Sequence, residues 1–143
     1  MVTKVEQVSS SDGAVTGSVA TLLRLEGLVA AGASAVLYAH TGASWWLFAA
    51  LWLTPDLSML AYLKRPCLGA RYYNAAHTYL LPGVLGLLGL LMHANVLLPF
   101  ALIWVNHIGV DRLLGYGLKY SDGFGFTHLG RLGKREATSL VRS

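Results

Sequence analysis

Charge is what this sequence has least of. Asp, Glu, Lys and Arg together make 13% of its 143 residues, about half the roughly 25% of an ordinary soluble domain. That shortage excludes a disordered chain, which combines high charge with low hydrophobicity, and it speaks against a conventional soluble enzyme. Cysteine is nearly absent as well. The single Cys67 excludes an intramolecular disulfide framework and a cysteine-built zinc site. The 11 basic residues outnumber the 7 acidic ones, but they cluster beside apolar runs instead of forming one stripe. The net charge of +4 therefore describes no nucleic-acid surface.

What is present is apolar. Hydrophobic residues make 55% of the chain and the mean hydropathy is +0.53. Gly27–Pro55 and Tyr72–Val110 contain no Asp, Glu, Lys or Arg. A bilayer crossing needs about 20 apolar residues, so each stretch exceeds a single crossing. His40-Thr41-Gly42-Ala43-Ser44 divides the first, and His93-Ala94-Asn95 the second. The pattern predicts an all-α, four-helix transmembrane bundle with helices over 19–39, 44–63, 71–92 and 96–118. The runs lack the strict alternation of barrel strands. Trp45 and Trp46 suit an interfacial aromatic belt. The first run starts late, carries Arg24 and Glu26 and precedes three more spans, unlike a cleaved signal peptide. Residues 1–16 read as a flexible tail, 17–120 as the membrane domain, and 121–143 as an interfacial segment with a basic tail.

Positive charges set the orientation. Lys4 and Arg24 precede or open the first helix. Lys64, Arg65 and Arg71 lie between the second and third. Arg112, Lys119, Arg131, Lys134, Arg135 and Arg142 follow or end the fourth. The other two connections carry none. All positives fall on one side, which the positive-inside rule makes cytoplasmic, with both termini there. The expected home is the inner (cytoplasmic) membrane, as a multi-pass protein.

Ionisable groups inside a span are costly, about 2.5–3.5 kcal/mol each at the centre on insertion scales. Even so, Glu26, Asp56, His77, His107 and Asp111 fall within or near the helix ends. Counted from the cytoplasmic boundary at 1.5 Å per residue, Glu26, Asp56, His77 and His107 sit roughly 6–12 Å deep on four different helices. His107 and Asp111 share a helix face at i, i+4, and Asn74 and His77 at i, i+3. Pro55, just before Asp56, frees a backbone carbonyl, which is tolerated at membrane depth where protein or a wet cavity surrounds it.

Three readings fit this layer. It is interhelical glue, with Arg24 and Arg112 neutralising Glu26 and Asp111. Or it binds a divalent ion such as zinc or manganese through Asp56, His77, His107 and Asp111. Or His77 and His107 hold a haem, which the hard carboxylates beside them disfavour. His40 and His93 read as solvated loop residues. The tail from Gly115 to Gly130 alternates glycine with aromatics. It reads either as an interfacial anchor or as a lid that brings Lys119 and His128 to the site.

The segments Leu25-Glu26-Gly27, Trp45-Trp46-Leu47-Phe48, Pro55-Asp56-Leu57-Ser58-Met59, Tyr73-Asn74-Ala75-Ala76-His77-Thr78, His107-Ile108-Gly109-Val110-Asp111-Arg112, Gly115-Tyr116-Gly117-Leu118-Lys119-Tyr120 and Thr127-His128-Leu129-Gly130 resemble the bacterial domain-of-unknown-function family 4260 of small membrane proteins. The resemblance covers roughly 21–133 and implies a membrane fold without an assigned activity. Pro55-Asp56, His77-Thr78 and His107-x-x-x-Asp111 also resemble, in order, motifs of the membrane-bound metal-dependent hydrolases, with His77-Thr78 standing where those carry His-Arg. That likeness implies a hydrolase acting at the cytoplasmic leaflet on a lipid-like ester or phosphoester. Asp56, His77, His107 and Asp111 would be metal ligands. Glu26 would be base or further ligand, with Lys119 and Arg112 catalytic and Asn74, Tyr116 and His128 in support. The alternative is a non-enzymatic membrane protein with a structural polar layer, or a small carrier.

Overall fold

A computed structural model of the chain describes residues 15–120 and 125–131. Residues 1–14 of the tail expected over 1–16, the Ser121–Phe124 stretch and the basic residues after 131 lie outside them.

The first span is α1, Gly17–His40. It stops where Thr41 turns its hydroxyl back to the Tyr38 carbonyl (2.7 Å) and Gly42 takes a φ of +72°, a left-handed conformation that suits glycine. Ser44 then caps α2, Trp45–Leu51, accepting the Trp46 N–H. The second span does not continue as α-helix. From Thr54 to Leu63 it is a 3₁₀ helix with Pro55 and Asp56 in its first turn. The third span is also divided, into α3 (Pro66–Ala76) and α4 (Leu80–Leu91), with His77–Tyr79 outside both. The fourth is α5, Leu97–Leu114, which ends at Gly115 in the left-handed region at φ +91°. A short hairpin follows, β1 (Phe126–Thr127) paired antiparallel with β2 (Gly130–Arg131).

Counted through their breaks, four helical segments, Gly17–His40, Trp45–Leu63, Pro66–Leu91 and Leu97–Leu114, are long and apolar enough to cross a membrane. The chain is an all-α, multi-pass membrane protein by this measure. Leucines at 22, 28, 53, 60, 81 and 90 stand exposed around the bundle, as a lipid-facing surface does.

The observed boundaries differ from the expected ones mainly at the breaks. The third span begins five residues early, because Pro66 is favourable at a helix start. The fourth ends four residues early, because Gly115 lets the amides of Gly115 and Tyr116 fold back onto the carbonyls of Arg112 and Asp111.

α5 is the hub. It packs on α1 and on α4, while the 3₁₀ helix packs on α3. The α1–α5 seam is backbone against backbone. A Cβ at Gly27 would stand 2.7 Å from the Gly109 carbonyl oxygen, and one at Gly109 would stand 2.7 Å from the Ala31 nitrogen. Such approach needs small residues on both helices. Asn106 extends the seam. Its Nδ2 donates to the Ala31 carbonyl (2.7 Å) and its Oδ1 accepts the Trp52 indole N–H (2.9 Å), so α1, α5 and the end of α2 are tied at one point.

Candidate metal centre

Two continuous turns and two helix breaks supply the donors. His107 and Asp111 project from one face of α5. Asp56 sits in the first turn of the 3₁₀ helix, and His77 is the residue that ends α3. The Nε2 atoms of His77 and His107 are 3.2 Å apart. Asp56 Oδ1 lies 3.3 Å from the first and 3.4 Å from the second. Asp111 Oδ2 lies 3.4 and 3.7 Å from the same two nitrogens. The four donor atoms fall within 4.8 Å of one another. Ligands 2.0–2.1 Å from a tetrahedral ion are separated by about 3.3–3.4 Å, so four of these edges fit a bound cation, and the His107–Asp111 edge at 3.7 Å is a few tenths longer. Both imidazoles are buried, 2% and 1% exposed, whereas the Asp56 side chain keeps 30% of its surface open. The mouth is therefore on the Asp56 side.

Proton counting sharpens the point. His77 Nδ1 lies 2.9 Å from the Tyr73 carbonyl, which can only accept, so Nδ1 carries the hydrogen. In the neutral ring Nε2 is then a bare lone pair, aimed at two carboxylate oxygens and at His107. Lone pairs against carboxylates repel. A cation at the centre, either a metal ion or a second proton on an imidazole, turns every one of these contacts attractive. The backbone carbonyl on the far nitrogen of His77 is the usual device that orients a metal-binding histidine. The Tyr73 ring also stacks on the His77 ring, with centroids 3.7 Å apart and planes 10° apart, and its hydroxyl reaches Asp111 at 3.4 Å. Trp52 closes the other flank, edge-on to His107 at 5.0 Å. His107 Nδ1 is buried without a hydrogen-bond partner among the described residues.

A haem does not fit this geometry. Its axial nitrogens must face each other across a flat macrocycle. Here they are 3.2 Å apart, with two carboxylate oxygens beside the same gap.

The segment after α5 folds back over α3. Asn74 holds it by both ends of its amide, Nδ2 donating to the Lys119 carbonyl (2.8 Å) and Oδ1 accepting the Lys119 N–H (2.6 Å). The Lys119 ammonium lies 4.5 Å over the Tyr73 ring. Burial pushes it below the usual lysine range, while Asp111 and Asp56 pull it back up. His128 pairs with the same segment: its Nδ1 accepts the Leu118 N–H (2.8 Å) and its own N–H donates to the Leu118 carbonyl (3.1 Å). Arg112 bridges lid and site, with Nη1 3.0 Å from His128 Nε2 and Nη2 donating to the His77 carbonyl (3.3 Å). Burial, then the Arg112 charge, lower the His128 value.

Of the residues singled out in the sequence, the structure gathers Asp56, His77, His107 and Asp111, and places Asn74, Lys119, Arg112 and His128 in the layer around them. Glu26 stands apart. It is exposed, and it lines a separate cavity of about 240 Å³ with Tyr79, Arg112 and His128. The physical reason is the α1–α5 seam. Gly27 faces α5, and Glu26 is turned about 100° away on the same helix. Tyr116 offers its amide to the Asp111 carbonyl, but its side chain is exposed and away from the donors. His40 and His93 are exposed. Tyr73, Trp52 and Asn106 were not anticipated from sequence. Tyr73 lies four residues before His77, on its helix face, so the i, i+4 rule could have found it. The other two are joined through a contact 54 residues apart that no local pattern reveals.

The model of a domain of unknown function (DUF4260) matches residues 20–132. The chain belongs to this family. The family domain so defined runs from the first turn of α1 past the end of the hairpin, and it contains all four donors and the lid. No curated protein and no solved structure matches the chain.

Proposed function

We propose that Asp56, His77, His107 and Asp111 bind one divalent ion, and that the protein is a metal-dependent hydrolase of a lipid-like ester or phosphoester at the cytoplasmic leaflet of the inner membrane. The observation that carries this reading is the convergence of two imidazole nitrogens and two carboxylate oxygens, on three spans, at the edge lengths of a coordination polyhedron. The ion would polarise the scissile oxygen and acidify a bound water. Four protein donors complete the shell of zinc. Manganese, which takes more ligands, would keep positions for water and substrate; zinc would need the half-open Asp56 to let go. Lys119 and Arg112 suit the neutralisation of an anionic group by their charge, both terminal nitrogens of Arg112 being engaged with His128 and the His77 carbonyl. Asn74 fixes the Lys119 backbone. Tyr73 orients His77.

Metal analysis of chelator-free purified protein tests the reading. About one equivalent of metal is expected in wild type. His107→Ala and Asp56→Ala should each lose it while remaining folded and membrane-inserted. Wild-type protein that stays metal-free after incubation with zinc and with manganese would overturn the reading. The layer would then be structural glue, in which each substitution lowers thermal stability by about 1–3 kcal/mol, the cost of an unsatisfied buried partner.

A further inference from the structure

The α3–3₁₀ pair and the α4–α5 pair leave a cleft between them. It forms a cavity of about 560 Å³, within the roughly 300–1,000 Å³ of pockets that hold one small molecule. Pro55, Ala76, Leu85, Phe100, Ile103 and Trp104 line it, and the wall is almost wholly apolar. Two features tie it to the donor cluster. Pro55 precedes Asp56 and Ala76 precedes His77, so the same backbone forms the cavity wall and the centre. Trp104 clamps that wall, donating its indole N–H to the Ala76 carbonyl at 2.6 Å. Phe100 and Thr54 are exposed, which puts the opening on the lipid-facing side of the bundle. One polar atom interrupts the lining. The Ser58 hydroxyl is covered and has no hydrogen-bond partner among the described residues.

We infer that this cavity takes the hydrocarbon chain of the lipid whose head reaches the Asp56–His77–His107–Asp111 cluster. The inference rests on the metal reading for what the head meets, and on the cavity itself for the chain. A hydrocarbon chain is the occupant that the position selects. The opening lies among exposed residues, where acyl chains are the surrounding solvent, and Pro55 and Ala76 of the wall are the chain neighbours of Asp56 and His77. Each methylene moved from water into such a wall is favourable, but one moved from lipid gains little. The pocket therefore works by alignment: a chain seated between Leu85 and Phe100 points its polar end toward Asp56. The unpaired Ser58 hydroxyl, two residues beyond Asp56, is available to donate to a carbonyl or phosphoryl oxygen at the chain's polar end.

The test uses full-length protein in nanodiscs and two monoacyl phospholipid probes, one with a diazirine at the chain end and one with it on the head group. After irradiation, the labelled residues are mapped by mass spectrometry. The chain-end probe should label the cavity residues of α4 and α5, and the head-group probe the Asp56–Ser58 turn or the Lys119 segment. Leu85→Trp should fill the cavity and cut chain-end labelling there roughly tenfold, with metal content unchanged. Leu87→Trp, on the exposed side of α4, should leave it as in wild type. Chain-end label spread evenly over the exposed leucines of all four spans would overturn the inference, and this comparison needs no variant. So would cavity labelling that is insensitive to Leu85→Trp in a folded protein, or head-group label found only at the opposite end of the bundle. Cavity labelling in wild-type protein that stays metal-free after incubation with zinc and with manganese would support the chain pocket and sink the metal reading, so the two failures are separable.

Discussion

The first and fourth spans are unbroken α-helix; the second and third are both interrupted. The unbroken pair meets glycine to backbone, and its geometry leaves no room for a side chain at Gly27 or Gly109. The interrupted pair packs Gly69 against the Tyr62 ring but also meets at polar atoms, and each of its spans carries a donor at or beside its break, Asp56 in one and His77 in the other. The contrast is a division of labour. A rigid seam between α1 and α5 fixes His107 and Asp111 in space. The broken spans give up helical hydrogen bonds, and the freed backbone aims the other two donors at them. A 3₁₀ run of ten residues is long for a geometry that rarely exceeds 3–4, and such stretches mark strain or function.

The seam should fail most severely. Gly109→Leu puts a branched side chain where a Cβ alone would already collide with the α1 backbone, so the protein should not assemble as a folded bundle. Size-exclusion chromatography and thermal unfolding in detergent measure this. A Gly109→Leu protein with wild-type stability would show that the seam is not rigid. Pro55→Ala is the sharper break of the comparison. Pro55 stands in the first turn of the 3₁₀ helix, where proline is favourable, so its removal should change stability by less than about 1 kcal/mol. Metal affinity should fall, because the turn that aims Asp56 relaxes. Isothermal titration with zinc or manganese, alongside unfolding, reads both; affinity rising with stability would erase the distinction between frame and break.

Asn74→Ala is expected to have a milder effect confined to the lid. Two hydrogen bonds to Lys119 are lost, about 1–3 kcal/mol of docking, read as faster amide exchange at Leu118 and Lys119 with the α1–α5 seam unchanged. The smallest effect is that of pH. His128 is held below its ordinary 6.5 by burial and by Arg112, with Tyr79 and Glu26 on the same cavity. Above pH 6.5 the ring is neutral whether docked or not, and docking is at full strength. As pH falls through 6.5 the undocked ring takes up its proton first, so docking weakens until the lower, docked value is passed. Lys119 is shifted in the same direction and weakens docking likewise as pH falls through its own range. The protection of the Leu118 amide, taken relative to the intrinsic exchange rate at each pH, should fall from pH 7.5 to 5; protection that stays constant would show that the lid does not feel His128.

The sequence carried the frame of this molecule better than its breaks. Charge-free stretches and the loops at 40–44 and 93–95 located four spans. The i, i+4 pair His107 and Asp111 and the shared depth of Asp56 and His77 marked the residues that the structure gathers. Pro55 announced a disturbance in the second span, though not ten residues of 3₁₀ helix. The end of α3 had a signal in Pro82, which has no N–H for the Thr78 carbonyl and sits in the first turn of α4; contacts from Asp56, His107 and Arg112 then hold the turn at His77. Glu26, placed in the layer by counting residues, is instead exposed and faces a separate cavity. Depth follows from counting residues, whereas direction depends on which face a neighbouring helix claims, and Gly27 had claimed it. The lid's partner, Asn74, is 45 residues from Lys119 and beyond any local rule.

The 3₁₀ stretch also has a length. At about 2.0 Å per residue its ten residues reach roughly 20 Å, against roughly 15 Å for the same residues as α-helix. The second span is thus some 5 Å longer than its residue count suggests, and the extra reach begins at the turn that carries Asp56. A bilayer that thins would favour the shorter α-helical form and draw that turn along its axis, while α5, with its own donors, stays put. Acyl-chain length in the surrounding membrane should therefore alter the spacing of the four donors, and under the metal proposal the affinity measured in nanodiscs of graded thickness should follow it.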